Sequence, residues 1–499
     1  MDFGILSLIP AAVTILVALL THRVALSLFT GVIAGAFVYA GYQLPDFAEN
    51  SYHYMVVSFT DIERLKIVLF VMLIGGLLEI IAGSGAYNKF AERLSRRLNS
   101  GRRARVSTWG LSMCLFFDDY ANVLISGASM RKINMKNNVT PAQLAYIVDV
   151  VAIMASIMIV STWASYEGSV MAEAGSNIGM NKSITHFFLE SLPYHFYTYM
   201  AIILAFVVAF TGKWFGYKAD NKKYKLVDGD DVNNNKAQVK HLLAPVLSLL
   251  GFAILALFVS GIYILLQKGQ PINLINILGS APSVDILILS TLLAIGLSVY
   301  LLIKDKVIGL KTIGKRFLKG LKDMAGVSLV IIFARGLSAV STDLGTGVFI
   351  TDAISDYISP ALLPFLIFVV SMLITVATGF SWSSMAIVMP IGFQLAMGLE
   401  APDLIPVISA AVITGAVSGE HVIPFSEKAV MTSAACKITP VYHIKTQIFQ
   451  TLGVFISAGL AFYLLGIMPS GFLAFIISLG FLLILHLVFA RSNKKAVIE

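Results

Sequence analysis

Two adjacent carboxylates, Asp118 and Asp119, lie within an otherwise apolar segment of the chain. Apolar stretches flank them, Val106–Met113 before and Val123–Ala128 after. In a soluble protein such a segment could be a loop that enters a core. In a membrane protein, a charged side chain at depth is costly and by default indicates a path for an ion or a proton. The rest of the chain decides between these two settings.

The composition indicates a polytopic helical membrane protein. Hydrophobic residues make up 57% of the 499 and charged residues 13%, whereas a typical soluble domain has about 25% charged residues. Apolar runs of roughly 18 or more residues recur, long enough to cross a bilayer and without the alternation typical of barrel strands. The predicted crossings are residues 5–21, 24–41, 66–83, 143–170, 196–212, 242–266, 284–303, 324–340, 403–435, 446–467 and 470–490.

The distribution of basic residues predicts which loops face the cytoplasm. Of the 36 Lys and Arg, 21 fall in three short stretches, seven in each: Lys89–Arg105, Lys213–Lys240 and Lys304–Lys322. Concentration of positive charge in short loops is the signature of cytoplasmic loops in membrane proteins. We therefore expect the lipid bilayer, and no nucleic acid, as a partner. The cysteines, Cys114 and Cys436, indicate neither a disulfide framework nor a metal site.

Two apolar segments are predicted to be re-entrant hairpins. An even number of crossings must separate two cytoplasmic stretches, so one of the three apolar segments before residue 213 must enter and leave on one side. We assign segment 106–130, which has polar residues in its middle and basic residues on both flanks. Irregular backbone at membrane depth requires shielding by protein or water. In the second half, segment 360–397 lies between acidic stretches and has a polar middle, Thr378–Ser384.

These assignments predict an all-α polytopic membrane protein with about 11 transmembrane helices and two re-entrant hairpins, arranged as inverted-topology repeats with broken helices. Aligning the two halves places Tyr120 with Trp382 and Asn122 with Ser384. We expect a multi-pass protein of the inner (cytoplasmic) membrane with its N-terminus outside and its C-terminus in the cytoplasm. The predicted parts are a first repeat at 1–212 (hairpin 106–130, broken helix 143–170), a cytoplasmic linker at 213–241, a second repeat at 242–467 (hairpin 360–397, broken helix 403–435), a further helix with a tail at 468–499, and interfacial helices at Tyr87–Leu98 and Val348–Ile358.

The broken helices carry the oxygen-bearing side chains that a sodium ion needs. Hydroxyls cluster around Ser161 and Thr162, and Pro424 should break the second helix because it lacks an amide donor. Carbonyls and hydroxyls freed at such breaks suit Na⁺. The predicted ligands of Na⁺ or of a substrate are Ser161, Thr162, Ser381, Trp382, Ser383, Ser384, Ser418, His421 and Ser426. For Na⁺ itself we expect Asp119, Asn122, Thr162 and Ser384.

Coupling Na⁺ to H⁺ requires carboxylates that can hold either cation. Burial favours the protonated form of a carboxyl group, and adjacent acids such as Asp118 and Asp119 influence each other's proton affinity. We expect Asp119, with Asn122 beside it, to be the more directly involved of the two. The full set of predicted coupling residues is Asp118, Asp119, Asn122, Asp149, Glu167, Glu420 and Glu427.

Each of these residues also has a structural alternative. One of Asp118 and Asp119 could cap the second arm of the hairpin. Glu167 could be solvated at the outer interface, and Asp149 could be solvated near the cytoplasmic end of its helix. The neighbouring pairs Glu420–His421 and Glu427–Lys428 could be internal ion pairs.

Several motifs resemble those of the NhaC-type Na⁺/H⁺ antiporter family of the ion transporter superfamily. They are Phe116–Asn122, Leu144–Asp149, Ser161–Trp163, Phe380–Ala386 and Gly419–Ser426. Relatives usually read Gly-Asp-His-Cys-Ser-Pro in the last block, where this chain has Gly-Glu-His-Val-Ile-Pro. The resemblance implies scaffold helices that often form a homodimer interface and a transport domain that carries two hairpins. Some relatives move organic acids or amino acids.

The leading hypothesis is a secondary active transporter that exchanges cytoplasmic Na⁺ for external H⁺, with Na⁺ as the transported or coupling ion and no cofactor. The alternative is Na⁺-coupled transport of a small organic solute, an amino acid or a carboxylate, in contact with Trp382, Ser383 and Ser384. A channel is disfavoured because inverted repeats with broken helices are typical of alternating access. An enzyme is disfavoured because the sequence has no nucleophile–base set, phosphate loop or metal-ligand spacing.

Overall fold

The computed structural model describes residues 3–492 except 22, 61, 96–97, 215–234, 347, 350–351, 353–358, 425 and 469. The helices of the first half are α1 (Ile9–Thr21), α2 (Val24–Tyr39), α3 (Leu44–Thr60), α4 (Ile62–Ser84), α5 (Ala86–Ser95), α6 (Gly101–Cys114), α7 (Asp119–Lys136), α8 (Pro141–Ala152), α9 (Thr162–Asn177), α10 (Ile184–Ser191) and α11 (Phe196–Thr211). Those of the second half are α12 (Lys240–Lys268), α13 (Leu274–Ser280), α14 (Ser283–Lys304), α15 (Leu310–Asp323), α16 (Ala325–Asp343), α17 (Leu363–Thr378), α18 (Ser381–Gly398), α19 (Ile405–Glu420), α20 (Glu427–Cys436), α21 (Pro440–Ile467) and α22 (Gly471–Phe489).

Short 3₁₀ turns and one pair of strands complete the described secondary structure. The 3₁₀ turns are Gly4–Leu8, Ile153–Ile157, Leu192–Tyr194, Pro360–Leu362 and Pro402–Leu404. The strands, β1 (Lys213–Trp214) and β2 (Arg491–Ser492), pair antiparallel. They join the start of the linker to the end of α22, two places that the charge pattern assigns to the cytoplasm.

The described helices confirm the class of a multi-pass helical membrane protein. Eight spans are long and apolar enough to cross a bilayer, or up to ten if each of two bent helix pairs counts as one span. Shorter apolar helices at Gly4–Ala18 and Ala25–Tyr39 correspond to the first two predicted crossings. Pro360–Thr378, predicted as one arm of a hairpin, is itself long enough to span. The prediction missed α3, α10, α13 and α15, because these helices are amphipathic or short and have no continuous apolar run.

Both predicted hairpins and both broken helices are present. The first hairpin is α6 and α7 with a break at 115–118, and the second is α17 and α18 with a break at 379–380. Gly379 ends α17 at φ +84°, a left-handed conformation that glycine adopts without steric cost. The α8–3₁₀ segment and α9 meet at an angle of 50° around residues 158–161. Residues 421–426 separate α19 from α20 around Pro424.

The two halves pack in the same way. In each half, the second arm of the hairpin lies against the broken helix: α7 on α8 and α18 on α19. Between the halves, α9 packs on α18 while α7 packs on α20. The surrounding helices repeat this arrangement. Helix α2 of the first half packs on α16, and its equivalent α14 of the second half packs on α4. In the same way, α3 packs on α16 and its equivalent α15 packs on α4. The fold class of two repeats with hairpins and broken helices is therefore confirmed.

Contacts within the chain join residues that were assigned to the same side of the membrane. Among the residues assigned to the cytoplasm, Lys240 Nζ lies 2.6 Å from Asp305 Oδ2. On the opposite side, Tyr54 donates a hydrogen bond of 2.8 Å to Asp343, and Thr346 donates one of 2.7 Å to Ser7 O. The predicted interfacial helix at 87–98 corresponds to α5. Most of the predicted helix at 348–358 and most of the linker lie outside the described residues.

Candidate ion-binding site

The tip of the first hairpin contacts the break between α8 and α9. The Thr162 amide donates to Phe117 O over 3.1 Å, and the Thr162 hydroxyl donates to Asp118 Oδ2 over 3.0 Å. Asp118 and Thr162 are both buried. Two of the predicted residues, from segments far apart in the chain, thus form one contact that places a carboxylate at the N-terminus of α9.

The neighbouring acid, Asp119, begins α7 and has a different environment. Its carboxylate interacts with its own backbone amide and with that of Tyr120, at the positive end of the helix dipole. The Trp163 indole lies beside it, although its N–H makes no hydrogen bond of standard geometry. Asp119 is therefore the first residue of α7, whereas Asp118, whose carbonyl accepts from the Asn122 amide at 3.1 Å, occupies the capping position that the sequence left open for one of the two acids.

Asn122 and Ser384 hold the arms of the two hairpins together. Asn122 Nδ2 donates to Ser112 O over 2.7 Å, which ties α7 to α6. Ser384 Oγ donates to Ser371 O over 2.8 Å, which ties α18 to α17. The two residues align in the repeats, and each makes the same kind of contact within its own hairpin. Of the four residues predicted to bind Na⁺, Thr162 contacts Asp118, Asp119 begins α7, and Asn122 and Ser384 make hairpin-closing contacts.

The tip of the second hairpin contacts the end of α19. The Ser381 amide donates to Glu420 Oε1 over 2.7 Å. Ser383 Oγ donates within the tip, to Phe380 O over 2.7 Å. Ser381 Oγ is buried and has no hydrogen-bond partner among the described residues. The Ser381 hydroxyl therefore lies beside the Glu420 carboxylate without a hydrogen bond of standard geometry.

Ser161 and Ser426 close the two helix breaks and are equivalent. Ser161 Oγ caps α9 by accepting from the Ala164 amide at 2.9 Å, and it donates to Ala155 O at 2.7 Å. Ser426 Oγ caps α20 by accepting from the Ala429 amide at 3.2 Å, and it donates to the Glu420 carbonyl at 3.2 Å.

The remaining predicted serine, Ser418, donates to Gly415 O within α19 over 2.6 Å. The protons of these three hydroxyls are donated to nearby backbone carbonyl groups.

The halves meet through aromatic side chains beside the tips. Tyr120 donates to Glu427 Oε2 over 3.1 Å, and Tyr166 donates to Trp382 O over 2.6 Å. The rings of Tyr166 and Trp382 stack with their centroids 4.1 Å apart, and Trp163 meets Trp382 edge to face at 6.0 Å. These contacts connect the α9 and α20 half-helices to the opposite hairpin.

A buried lysine, Lys428, lies at the centre of these elements, and the sequence argument did not select it. It is 2% exposed, and its Nζ lies 2.8 Å from His421 Nε2. Since that nitrogen accepts from an ammonium, the proton of His421 sits on Nδ1, which lies 2.7 Å from the Tyr197 hydroxyl. The predicted pairs Glu427–Lys428 and Glu420–His421 are therefore replaced by contacts of Glu427 with Tyr120 and of Lys428 with His421.

Lys428 also interacts electrostatically with three acids: Asp119, Asp149 and Glu420. These acids come from the first hairpin, from α8 and from α19. The ammonium group thus compensates negative charge from both halves, in a region where isolated charges are costly. A Lys one position after Glu427 in an apolar segment was the only sequence signal for this role.

Asp149 is 1% exposed, so the interpretation that it is solvated is wrong. Its carboxylate accepts from Gln447 Nε2 at 2.9 Å and from Thr432 Oγ1 at 3.2 Å, and His443 Nε2 lies 3.3 Å away. The sequence argument missed these partners. The sequence signal for a polar face on α21 was the row of His443, Gln447 and Thr451. These residues recur every four positions along an otherwise apolar helix and therefore lie on one face of it.

Glu167 is completely buried, so the interpretation of a solvated acid at the outer interface is also wrong. Neither of its carboxylate oxygens has a hydrogen-bond partner among the described residues. A buried carboxylate without a partner is costly when it is ionised. Glu167 is therefore suited to carry a proton or to accept a cation.

Two cavities approach this region from opposite sides. The first, of about 290 Å³, lies between α4, α15, α7 and α20, and its lining includes four acids and no Lys or Arg: Glu79, Asp118, Asp323 and Glu427. Glu79 binds Arg316 of a basic stretch at 2.8 Å, which places the cavity on the side assigned to the cytoplasm. The second, of about 510 Å³, lies on the other side of the molecule and is lined by residues of both charges, among them Arg64, Glu173, Lys182, Asp285 and Arg335.

The metal preference of the site follows from its donors. Among the described residues, no group of three or more His, Cys, Asp or Glu side chains could hold a metal ion. The available donors are carboxylate, hydroxyl and carbonyl oxygens, which suit hard cations.

These features define the protein as a secondary active transporter: paired hairpins meet broken helices around buried acids, with a cavity on either side. The chain belongs to the Na⁺/H⁺ antiporter family, whose model matches residues 154–467. This match confirms the resemblance to Na⁺/H⁺ antiporters. It also confirms the prediction that the protein is a transporter and not an enzyme. An uncharacterized protein of Haemophilus influenzae is 27% identical over 94% of this chain and 92% of its own length.

Two further comparisons extend over different shares of the chain. The malate-2H⁺/Na⁺-lactate antiporter of Bacillus subtilis is 22% identical over 116 residues, which are 23% of this chain and 24% of that protein. The crystal structure of the Alcanivorax borkumensis YdaH transporter, described as having an unusual topology, matches with a TM-score of 0.60 and 14% identity. The match covers 88% of this chain and 97% of that chain and shows a shared fold.

Proposed function

We propose that this protein exchanges cytoplasmic Na⁺ for external H⁺ by alternating access. The observation that carries the proposal is the acidic cavity of about 290 Å³, whose lining includes Asp118 and Glu427 and no Lys or Arg. Glu79 of this lining is paired with Arg316 and Lys319, so the attraction of the cavity for cations comes from its other carboxylates. The proposal places the protein in the inner membrane with the N-terminus outside and the C-terminus in the cytoplasm, in agreement with the positions of the basic stretches.

Na⁺ and H⁺ would compete for the same carboxylates. Asp118 faces the cavity and already accepts a hydrogen bond from Thr162, so a sodium ion there would replace a proton and gain a hydroxyl ligand. Glu427 lies across the same cavity on the other half of the molecule. Because both cations neutralise the same acid, binding of one excludes the other, which is the requirement for obligatory exchange.

Alternating access would come from movement of the hairpins and broken helices against the scaffold helices. The contacts within the hairpin–broken helix unit are direct and buried, as in Ser381–Glu420 and Thr162–Asp118. The acidic cavity, by contrast, separates α7 and α20 from α4 and α15. Movement along that boundary would close this cavity and give the acids access to the opposite side. The resemblance to the family supports a homodimer in which the scaffold helices form the interface.

A second candidate function is Na⁺-coupled transport of a small organic solute, such as an amino acid or a carboxylate. The cavity of about 510 Å³ favours it, because its lining presents both charges and its volume admits a molecule of that size. The similar protein of Bacillus subtilis is a malate-2H⁺/Na⁺-lactate antiporter. The acidic lining of the other cavity argues against the release of a carboxylate on that side.

Everted membrane vesicles distinguish the two candidates. With an imposed acid-inside pH gradient reported by a fluorescent amine, addition of Na⁺ should restore the fluorescence, because Na⁺ enters as H⁺ leaves. Vesicles from cells with an Asp118→Asn variant at equal expression provide the control. A gradient that does not respond to Na⁺ or Li⁺, together with Na⁺-driven uptake of a labelled amino acid or carboxylate, would establish the second candidate instead.

A further inference from the structure

Helix α15 is amphipathic and strongly basic. Its 14 residues include Lys311, Lys315, Arg316, Lys319 and Lys322. The acidic residue of the helix is Asp323, at its end. The helix follows Lys304, in the stretch that the charge pattern assigns to the cytoplasm.

One face of α15 is committed to the protein. Gly320 lies so close to α4 that a Cβ on it would be 2.2 Å from Gly75 O. Arg316 Nη1 and Lys319 Nζ each lie 2.8 Å from Glu79 Oε1. The helix is thus fixed against α4 by backbone contact and by two ion pairs.

The other face of α15 is exposed and basic. Lys311, Lys315, Leu318 and Lys322 are exposed and follow one another at spacings of four, three and four residues, which places them in one stripe along a helix. Leu318 is 64% exposed in the middle of this stripe. Basic residues around an apolar side chain are typical of a helix that lies in the interface of an anionic membrane.

The equivalent helix of the first half shows that the fold does not require this charge. Helix α3 packs on α16 as α15 packs on α4. It carries Asp46 and Glu49 and contains no Lys or Arg. The two halves therefore share the amphipathic helix but differ in the sign of its charge.

We propose that the stripe of Lys311, Lys315, Leu318 and Lys322 binds the headgroups of anionic phospholipids in the cytoplasmic leaflet. The lysines meet the phosphates, since basic residues close to an anionic leaflet are attracted to it, and Leu318 enters the acyl boundary. Gly320, Asp323 and Met324 line the acidic cavity, as does Glu79. Lipid bound to α15 thus stabilises one wall of that cavity. The binding itself does not depend on which ion is transported.

The test compares the purified full-length protein with a K311Q/K315Q/K322Q variant, whose changes leave the Glu79 ion pairs intact. The midpoint of thermal unfolding is measured in detergent micelles that contain phosphatidylcholine, alone and mixed with phosphatidylglycerol. We expect phosphatidylglycerol to raise the midpoint of the wild type by several degrees and that of the Gln variant by much less. A K311R/K315R/K322R variant keeps the charge and should respond like the wild type, which excludes a general loss of folding.

Two results overturn the proposal. In one, the Gln variant responds to phosphatidylglycerol as fully as the wild type. In the other, soluble glycerol phosphate without acyl chains reproduces the whole shift, which would indicate a site for free phosphate. Because the measurement contains neither Na⁺ nor a pH gradient as a variable, it is independent of the exchange assay.

Discussion

Replacement of the buried Lys428 by Met is the most informative perturbation of the site. It removes the ammonium that contacts His421 Nε2 and that interacts with Asp119, Asp149 and Glu420. Met has a similar length and an apolar side chain, so the change removes charge with little change of volume. The acids then have no compensating charge from this position.

The expected cost is large on the scale of protein stability. Removal of one partner from a buried charge interaction typically costs about 3–5 kcal/mol, against a total stability of about 5–15 kcal/mol. The variant can recover part of this cost if the acids bind Na⁺ or H⁺ in place of the ammonium. We therefore expect a lower unfolding midpoint in the absence of Na⁺, a steeper rise of the midpoint with Na⁺ concentration than in the wild type, and loss of exchange.

The assay is thermal unfolding of the purified protein over a Na⁺ titration, with exchange measured in vesicles. Lys437→Met is the matched control, because Lys437 is exposed and follows the same helix. The double variant Lys428→Met with Asp149→Asn should regain stability, since it removes an uncompensated charge, and the coupling should be about 0.5–3 kcal/mol. Normal stability and normal exchange in Lys428→Met, or strict additivity in the double variant, would refute the reasoning.

Three further predictions, which use five variants, test the site and its support. Asp118→Asn should abolish exchange at normal expression, because an amide cannot trade H⁺ for Na⁺, while Asn still caps α7 well. Asp119→Asn should retain exchange and lose about 0.3–1 kcal/mol of stability, because it removes a negative charge from the first turn of α7. Vesicle exchange and unfolding midpoints distinguish the two, and equal activity of both would contradict the assignment. Glu167→Gln should express well and shift the pH at which exchange is half-maximal if Glu167 carries the proton, and an unchanged pH profile would exclude it from the pathway. Gly320→Val should lower the unfolding midpoint by an amount equivalent to about 1–3 kcal/mol, because the added side chain overpacks the contact with α4. Gly314→Val on the same helix is the control. A Cβ at Gly314 meets nothing within 4 Å, so this variant should change the midpoint much less.

The sequence by itself determined the class of fold and where its irregular elements lie. Hydropathy reports which segments tolerate lipid, and the basic stretches report which loops share a side. The hairpins at 106–130 and 360–397 followed from that parity argument together with their polar middles. Pro424 located the second helix break, because a proline has no amide to donate. All of these are local properties, and a local property can be recognised without knowledge of contacts.

The tertiary structure decided the role of each polar residue. Asn122 and Ser384, predicted as Na⁺ ligands, make contacts that close the hairpin arms, and Ser161 and Ser426, predicted as ligands too, also cap helices. Asp118 rather than Asp119 lines the acidic cavity. A hydroxyl or amide has the same sequence signature whether it binds an ion or a nearby carbonyl. Its role depends on which group the fold brings within about 3 Å of it.

The buried charges show most clearly that the sequence does not determine which groups are in contact. Lys428 neighbours Glu427 in the chain, yet its ammonium contacts His421, and Asp149 finds its partners on α20 and α21. Burial makes such partners necessary, since an uncompensated charge in an apolar interior is costly. The sequence shows that a buried charge needs a partner. Only the packing of helices distant in the chain determines which group that partner is.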